Sequence, residues 1–249
     1  MACRGSLTIL LALWPLAAHA LSADEHTLFL CQFDGTAEAE FSVGSLHPEG
    51  VAGFTEGKHG QALSAPLGLL PFAQSVAPLT TGVQYASAGN INLQQGTIEL
   101  WVRVYGDIIN TTEQSPKLRY LVSSGKYTGA NHGFALVLSH FSAKAGEPYM
   151  LLWTRQNGSD KSKTWSVSCR PQWQPREWHH VAATYSPTED RLFVDGKQVG
   201  QTPTGEAMDL IGNNFAVGAS IYHSGVSDCA LDELRLSDHV RYAEDFTPR

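Results

Sequence analysis

The stretch EWHHVAATYS, residues 177–186, is the part of the sequence that decides the fold. Its side chains alternate with a period of two, which places Ala183 and Tyr185 on one face and their neighbours on the other. Both faces carry apolar groups, as in a strand whose sheet is covered on both sides. Because adjacent residues of a strand point to opposite faces, His179 and His180 cannot easily share one metal ion. We interpret both histidines as structural.

The next stretch, RLFVDGKQVG at residues 191–200, carries a hairpin signal. Asp195-Gly196 lies between two runs of β-forming residues, and both residues tolerate the positive φ of a type I′ turn. The sequence therefore predicts two antiparallel strands that are joined at this dipeptide.

Further short apolar runs lie on both sides of this pair, and they end at Gly, Pro, Asn or Asp. No segment shows the helix-length pattern that a parallel α/β fold needs between its strands. Residues 36–90 are looser, and we expect loops and short strands at the rim of the domain. The predicted fold class is all-β, an antiparallel two-sheet jelly-roll sandwich. The runs are TLFLCQF (27–33), GTIELWVRV (96–104), RYLVSSG (119–125), GFALVLSHF (133–141), YMLLWTR (149–155), NFAVGAS (214–220) and LDELRLSD (231–238).

The composition limits the classes of function. The chain has 249 residues, of which 43% are hydrophobic and 16% charged, which is too apolar for disorder. Its formal net charge of −7 does not favour contact with phosphate backbones or anionic membrane surfaces. We therefore expect no nucleic-acid partner.

Residues 1–20 have the features of a secretory signal peptide. A basic start at Arg4 precedes an apolar run, and Ala18-His19-Ala20 has the small-x-small pattern of a cleavage site. The alternative is a membrane anchor, but the run is shorter than the roughly 20 apolar residues that span a bilayer. We expect a secreted or extracytoplasmic protein without a membrane span, whose mature chain is one domain at residues 21–249.

Three cysteines remain after removal of the signal peptide, namely Cys31, Cys169 and Cys229. An odd number permits one disulfide and a spare thiol. Three separate buried thiols are an equally good interpretation.

Four segments, in this order along the chain, resemble the laminin-G-like, concanavalin A-like lectin and glucanase jelly-roll superfamily. The resemblance implies two face-to-face antiparallel sheets, one of them concave, with the first and last strands as neighbours. It extends from about Leu28 to the C-terminus. The segments are Phe33-Asp34-Gly35 with GKHGQAL (57–63), GTIELWV (96–102), EWHHVA (177–182) with LFVDG (192–196), and LDELRLS (231–237) with Arg241-Tyr242.

The superfamily includes polysaccharide-cleaving enzymes, whose hydrolases commonly carry a pattern like E-x-D-x-x-E. Alternate carboxylates on one strand face, about 5 Å apart, serve as nucleophile and acid/base. No E-x-D triplet occurs in this chain, and Glu38 and Glu40 alternate only within a loose acidic segment. A lyase using Tyr127 with His132 has no pattern behind it. The sequence predicts no catalytic residues, and a polysaccharide-cleaving enzyme is the least favoured of three hypotheses.

The resemblance also implies a structural calcium ion where the N-terminal segment meets the last strand. The carboxylate candidates are Asp34 and Asp232, and Gly57 is a candidate for a backbone carbonyl ligand. Calcium prefers six to eight oxygen ligands, which loop carbonyls and one or two carboxylates supply. The alternative is that both aspartates only cap turns.

Aromatic residues are concentrated just before the deciding stretch. Trp153, Trp165 and Trp173, with Tyr149, are candidates for rings that stack on sugars, and the alternative is packing in the core. The leading hypothesis is a secreted, non-catalytic binding module whose partner is a glycan. The second is a structural or protein-interaction domain of an extracellular or envelope assembly, which burial of the three tryptophans would favour.

Overall fold

The computed structural model describes residues 20–65, 82–108, 118–128, 130–140, 147–158, 161–219 and 227–249. Residues 1–19, and with them most of the predicted signal peptide, lie outside this part of the chain. Within the described ranges, no helix is long and apolar enough to cross a membrane.

Nearly all regular structure in these ranges is β-strand, and the one helix is a single 3-10 turn at Lys161–Lys163. The strands are β1 (Thr27–Cys31), β2 (Phe41–Ser42), β3 (Glu49–Val51), β4 (Gly53–Glu56), β5 (Gln61–Ala65), β6 (Gly82–Ala86), β7 (Gly96–Val104), β8 (Leu118–Thr128), β9 (Ala130–Ser139), β10 (Met150–Gln156), β11 (Thr164–Cys169), β12 (Trp178–Tyr185), β13 (Glu189–Val194), β14 (Lys197–Pro203), β15 (Asn214–Val217) and β16 (Cys229–Ser237).

The strands form two antiparallel sheets, which confirms the predicted jelly-roll sandwich. The nine-stranded sheet has the order β14-β13-β12-β7-β16-β1-β2, with β5 also paired to β16 and β4 to β5. The seven-stranded sheet has the order β11-β10-β9-β8-β15-β6-β3. The first and last strands are neighbours, with Leu30 opposite Arg235 and Cys31 opposite Leu234.

The predicted hairpin is present between β13 and β14. Asp195 and Gly196 have φ angles of 49° and 75°, the left-handed conformation that a type I′ turn requires. The Asp195 carboxylate also accepts a hydrogen bond from the backbone N–H of His180 at 2.9 Å. The turn is therefore tied to β12 as well as to its own strands.

The hydrophobic core lies between the two sheets. All nine residues of β16 are buried, as expected for a strand with paired neighbours on both edges. Phe29 of β1 contacts Tyr85 and Phe215 with ring centroids 4.7 and 5.3 Å apart. The described part of residues 36–90 is therefore not confined to the rim of the domain, because β6 is an internal strand and its Tyr85 is a core residue.

The C-terminal segment covers the outer face of the nine-stranded sheet. It places the Tyr242 hydroxyl 2.7 Å from Glu99, and the backbone carbonyl of Arg249 3.1 Å from the Trp101 indole nitrogen. Burial alone raises the pKa of the Glu99 carboxyl, but neighbouring His180 and Arg235 lower it to about 2. Glu99 is thus an ionised group that is buried and neutralised by its surroundings.

Cys31, Cys169 and Cys229 are free thiols in the structure. Burial raises the pKa of Cys31 and Cys229 to about 12 and that of Cys169 to about 11. Since the thiolate is the reactive form, these cysteines act as small core residues.

A buried ion pair joins the two sheets. Arg155 of β10 and Asp190 of β13 are fully buried, and the Arg155 Nε lies 2.8 Å from the carboxylate. Trp153 donates its indole N–H to the same carboxylate at 2.9 Å, and Arg155 also donates to the Ser186 carbonyl at 3.0 Å. Asp190, on a strand of the nine-stranded sheet, therefore binds two side chains of the seven-stranded sheet.

Replacement of Asp190 by Ala should lower the free energy of unfolding by about 3–5 kcal/mol, because Arg155 would remain buried without its counter-charge. Chemical denaturation of the purified protein measures this. The control is Lys197→Ala, which removes the exposed Lys197–Asp245 pair and should leave stability essentially unchanged. Similar losses in both variants would contradict the bridging role of Asp190.

Candidate functional site

The three residues predicted for calcium lie around one turn, residues 57–61, between β4 and β5. The carboxylate of Asp232 accepts hydrogen bonds from the backbone N–H groups of Lys58 at 2.7 Å and His59 at 3.0 Å. Asp34 accepts one from the Gln61 N–H at 2.6 Å. The last strand and the segment after β1 thus meet at the same turn, as the resemblance implies.

Gly57 lies directly against the Asp232 carboxylate. A Cβ atom added at Gly57 would lie 2.7 Å from the Asp232 Oδ2 atom. Only glycine permits the turn to approach the carboxylate this closely, which gives Gly57 a role in shaping the junction. The hydrogen bonds that both aspartates accept from the turn are typical of turn caps. These contacts show that the aspartates cap the turn, and they do not by themselves identify a calcium ligand.

The charge of this junction is not balanced by the residues around it. Burial, with a smaller contribution from the Asp34 charge, raises the pKa of Asp232 to about 7 despite the backbone hydrogen bonds that it accepts. Burial likewise raises the pKa of Glu233 to about 7, with Asp232 and Asp34 contributing. No described lysine or arginine forms an ion pair with Asp34, Asp232 or Glu233. Oxygen-rich groups with unbalanced negative charge fit a hard cation such as calcium.

Glu233 is the residue of this junction that sequence reasoning missed. It is almost fully buried, and its Oε1 atom has no hydrogen-bond partner among the described residues. Its φ of 53° coincides with a register shift in the pairing of β16 with β7 between Asp232 and Arg235. A bulge of this kind redirects side chains, and the run LDELRLS contains no signal for it.

The predicted aromatic platform is largely inside the protein. Trp153 and Tyr149 have no exposed surface, and Trp173 has 5%. The Trp173 ring stacks on His179 with centroids 4.5 Å apart. Trp165 is partly exposed, and the guanidinium of Arg155 lies over its ring at 4.6 Å. Trp153, Trp173 and Tyr149 therefore pack in the core, which was the alternative for these rings, and they are not available for a three-tryptophan stacking surface.

The outward face of β10 and β11 carries a row of neutral hydrogen-bonding side chains, which we call the polar strip. The pairing places Thr154 opposite Ser166 and Gln156 opposite Thr164, and opposite residues of an antiparallel pair share a face. The Thr154 and Ser166 hydroxyls lie 2.8 Å apart. Ser168, opposite Leu152, completes the strip at the edge of the seven-stranded sheet.

The seven-stranded sheet is almost free of carboxylates. The strands β6, β8, β9, β10, β11 and β15 contain no Asp or Glu, and only β3 contributes one, Glu49. A two-carboxylate hydrolase mechanism has no pair of acids on these strands. Glu38 binds His47 at 3.0 Å and Glu40 accepts the Gln32 N–H at 2.7 Å, both at the surface. The side chains of Tyr127 and His132 lie outside the described residues.

The two adjacent histidines have separate surroundings. His179 Nδ1 lies 2.8 Å from Asp195, whereas the buried His180 Nε2 lies 3.3 Å from Glu99. Each is therefore bound into a different part of the fold, in agreement with a structural role.

Comparison with known families and structures bears on the fold. The family model described as Laminin_G_3, concanavalin A-like lectin/glucanases superfamily, matches residues 79–245. A search of the curated proteins gave no match.

Three similar solved structures have the same fold. Domain 4 of AbnA, a GH43 extracellular arabinanase from Geobacillus stearothermophilus in complex with arabinotriose, is 16% identical, with a TM-score of 0.61 over 86% of this chain and 93% of that one. The botulinum neurotoxin serotype D binding domain is 10% identical, with a TM-score of 0.61 over 87% and 48%. The binding domain of botulinum neurotoxin DC in complex with SialylT is 10% identical, with a TM-score of 0.55 over 85% and 47%. This chain thus spans about half of each neurotoxin chain.

Proposed function

The chain belongs to the concanavalin A-like lectin/glucanases superfamily, and from this premise we propose that it is a secreted, non-catalytic module that binds carbohydrate. The observation that carries the proposal is the polar strip, a neutral surface of four hydroxyls and one amide on a sheet almost free of carboxylates. Sugar hydroxyls are neutral donors and acceptors, so they match such a surface. The arabinotriose complex of the similarly folded arabinanase domain supports this class of ligand.

The absence of acid pairs on the strands of the seven-stranded sheet supports binding without cleavage. Two of the buried carboxylates in the other sheet are held in ion pairs: Glu99 binds Arg235 and Tyr242, and Asp190 binds Arg155 and Trp153. A group that is committed to such contacts is not free to transfer a proton to a ligand.

The second candidate is a protein-interaction domain, and the burial of the tryptophans favours it. With Trp153 and Trp173 in the core, no stacked-ring platform is left in the segment where one was expected. The two candidates differ in whether the polar strip or a loop surface at the rim is the binding site.

We also propose that calcium binds at the junction of Asp34, Asp232 and Gly57. The buried Asp232 carboxylate, which has no counter-charge among the described residues, supports this, and so does the convergence of the last strand and the segment after β1 on the 57–61 turn. A divalent cation there would favour the ionised carboxylates and join the two ends of the domain.

The carbohydrate proposal predicts binding to one or more glycans on an array, and the Thr154→Ala, Ser166→Ala double variant should bind roughly tenfold more weakly. Each lost hydrogen bond contributes about 0.5–1.5 kcal/mol, and two together correspond to such a factor. The matched control is Thr202→Ala on β14 in the other sheet, which should bind normally. No binding to any glycan, with or without calcium, would contradict the proposal and favour a protein partner.

The calcium proposal predicts a melting temperature that rises with millimolar calcium and falls with chelator. An ion that binds only the folded state stabilises it by about 2.7 kcal/mol at a hundred times Kd. Asp232→Ala should abolish the calcium response and Asp34→Ala should weaken it, while Asp245→Ala, at an exposed acid, should leave it intact. Equal melting temperatures in chelator and calcium, for protein shown by elemental analysis to be metal-free, would leave both aspartates as turn caps alone.

A further inference from the structure

His26, Asp238 and His239 form a cluster where β1 begins and β16 ends. Each offers one ligand atom, and these atoms all lie within 4.8 Å of one another. His26 Nδ1 lies 3.0 Å from Asp238 Oδ1, and His239 Nδ1 lies 3.5 Å from the same oxygen. Neither the proposed carbohydrate surface nor the proposed calcium junction includes this cluster.

We propose that the cluster binds a transition-metal ion, with Zn²⁺ as the best match. Imidazole nitrogens with one carboxylate suit zinc, whereas calcium prefers oxygen ligands alone. Ligand atoms about 2.0–2.2 Å from a tetrahedral zinc ion lie roughly 3.3–3.5 Å from each other. The two nitrogen–oxygen distances of the cluster lie close to this spacing, and a water molecule would complete the coordination.

Two further features support a built site. The Nδ1 atom of His239 is buried and has no hydrogen-bond partner among the described residues. Coordination of a metal ion would satisfy this nitrogen. The backbone is also fixed: the Asp238 N–H donates to the His26 carbonyl at 3.0 Å, and the Thr97 hydroxyl donates to the His239 carbonyl at 2.7 Å. The ligands therefore need side-chain adjustment only.

Arg241, two residues after His239, has a positive charge that would oppose a bound metal ion. Its guanidinium binds both oxygens of Asp24, at 2.6 and 2.8 Å. Its charge is thus compensated by Asp24, and Asp238 remains available to the metal.

Titration of metal-free protein with Zn²⁺ by calorimetry, in the presence of excess calcium, tests the zinc site. We expect one zinc ion per chain, and His26→Ala and His239→Ala should each weaken binding at least about tenfold. Co²⁺ should give the visible absorption of a tetrahedral site. The control is His47→Ala, a surface histidine paired only with Glu38. No zinc binding, or equal affinity in His239→Ala and His47→Ala, would overturn the proposal.

A separate observation concerns Glu233 and the start of the mature chain. The backbone nitrogen of Leu21 donates to Glu233 Oε2 at 2.7 Å, with both residues buried, whereas Ala20 is exposed. The side-chain amide of Gln32 donates a hydrogen bond to the Leu21 carbonyl oxygen at 2.8 Å. The predicted signal-peptide cleavage site lies between the exposed residue and the buried one.

We infer that Glu233 binds the chain's own N-terminal ammonium group after processing. Hydrolysis by a signal peptidase adds water across the Ala20–Leu21 bond and leaves a carboxylate on Ala20 and an ammonium on Leu21. The same nitrogen then carries a positive charge and further protons, within reach of the unpartnered Glu233 Oε1 atom. This inference rests on the secretion that the proposed function includes.

Comparison of a chain that begins at Leu21 with one that retains Ala20, both in chelator, tests this ion pair. The processed chain should melt higher by roughly 5 °C or more. Glu233→Gln should lower the melting temperature of the processed chain but not that of the extended one. Equal melting temperatures, an equal effect of Glu233→Gln in both chains, or a secreted protein whose sequenced N-terminus is not Leu21 would overturn it. Glycan binding is measured separately, so a failure of the carbohydrate proposal can be distinguished from a failure of the Leu21–Glu233 ion pair.

Discussion

The pairing of β16 with β1 on one side and β7 on the other is the constraint on which the rest of the structure depends. This pairing places the end of the chain in the middle of the nine-stranded sheet and next to its beginning. Three junctions follow from it: Asp232 reaches the 57–61 turn, Glu233 reaches Leu21, and Asp238 reaches His26. A strand so placed is fully paired only when both neighbours are present, so its side chains lie where the two ends of the described chain meet.

The fold was predictable where local chemistry determines it. Asp195-Gly196 forms a hairpin because its residue types suit the required φ angles, and the period-two alternation identifies which side chains share a face. The pattern does not say what covers a face. Glu99 and Trp101 share a face as the alternation of GTIELWVRV indicates, yet both are buried because the C-terminal segment with Tyr242 crosses them. That contact joins positions far apart in sequence and has no local signature.

The candidate site was predictable in part, for the same reason. The resemblance brought Asp34, Asp232 and Gly57 to one turn, where the structure also has them. It gave no hint of Glu233, which a bulge turns inward, because a bulge is set by the pairing of β16 with its neighbours. The role of Trp153 was open for a different reason: an indole serves equally as a core group or a binding platform, and only its distance from Asp190 and its burial decide between them.

The two sheets differ in where they hold charge, and this difference connects stability to function. Buried carboxylates need partners, and the nine-stranded sheet supplies them from its own strands, from the C-terminal segment and, through Arg155, from β10. This concentration of buried charge is compatible with a closed domain, because Glu99 and Asp190 each bind partners from other segments of the chain. The described strands of the seven-stranded sheet contain no buried acid that joins two segments in this way. The outward face at the edge of this sheet carries neutral hydroxyl and amide groups. A carboxylate there would carry a hydration shell that a neutral ligand must displace without a compensating charge. The same segregation that stabilises one sheet therefore leaves the other suited to a neutral, hydroxyl-bearing ligand.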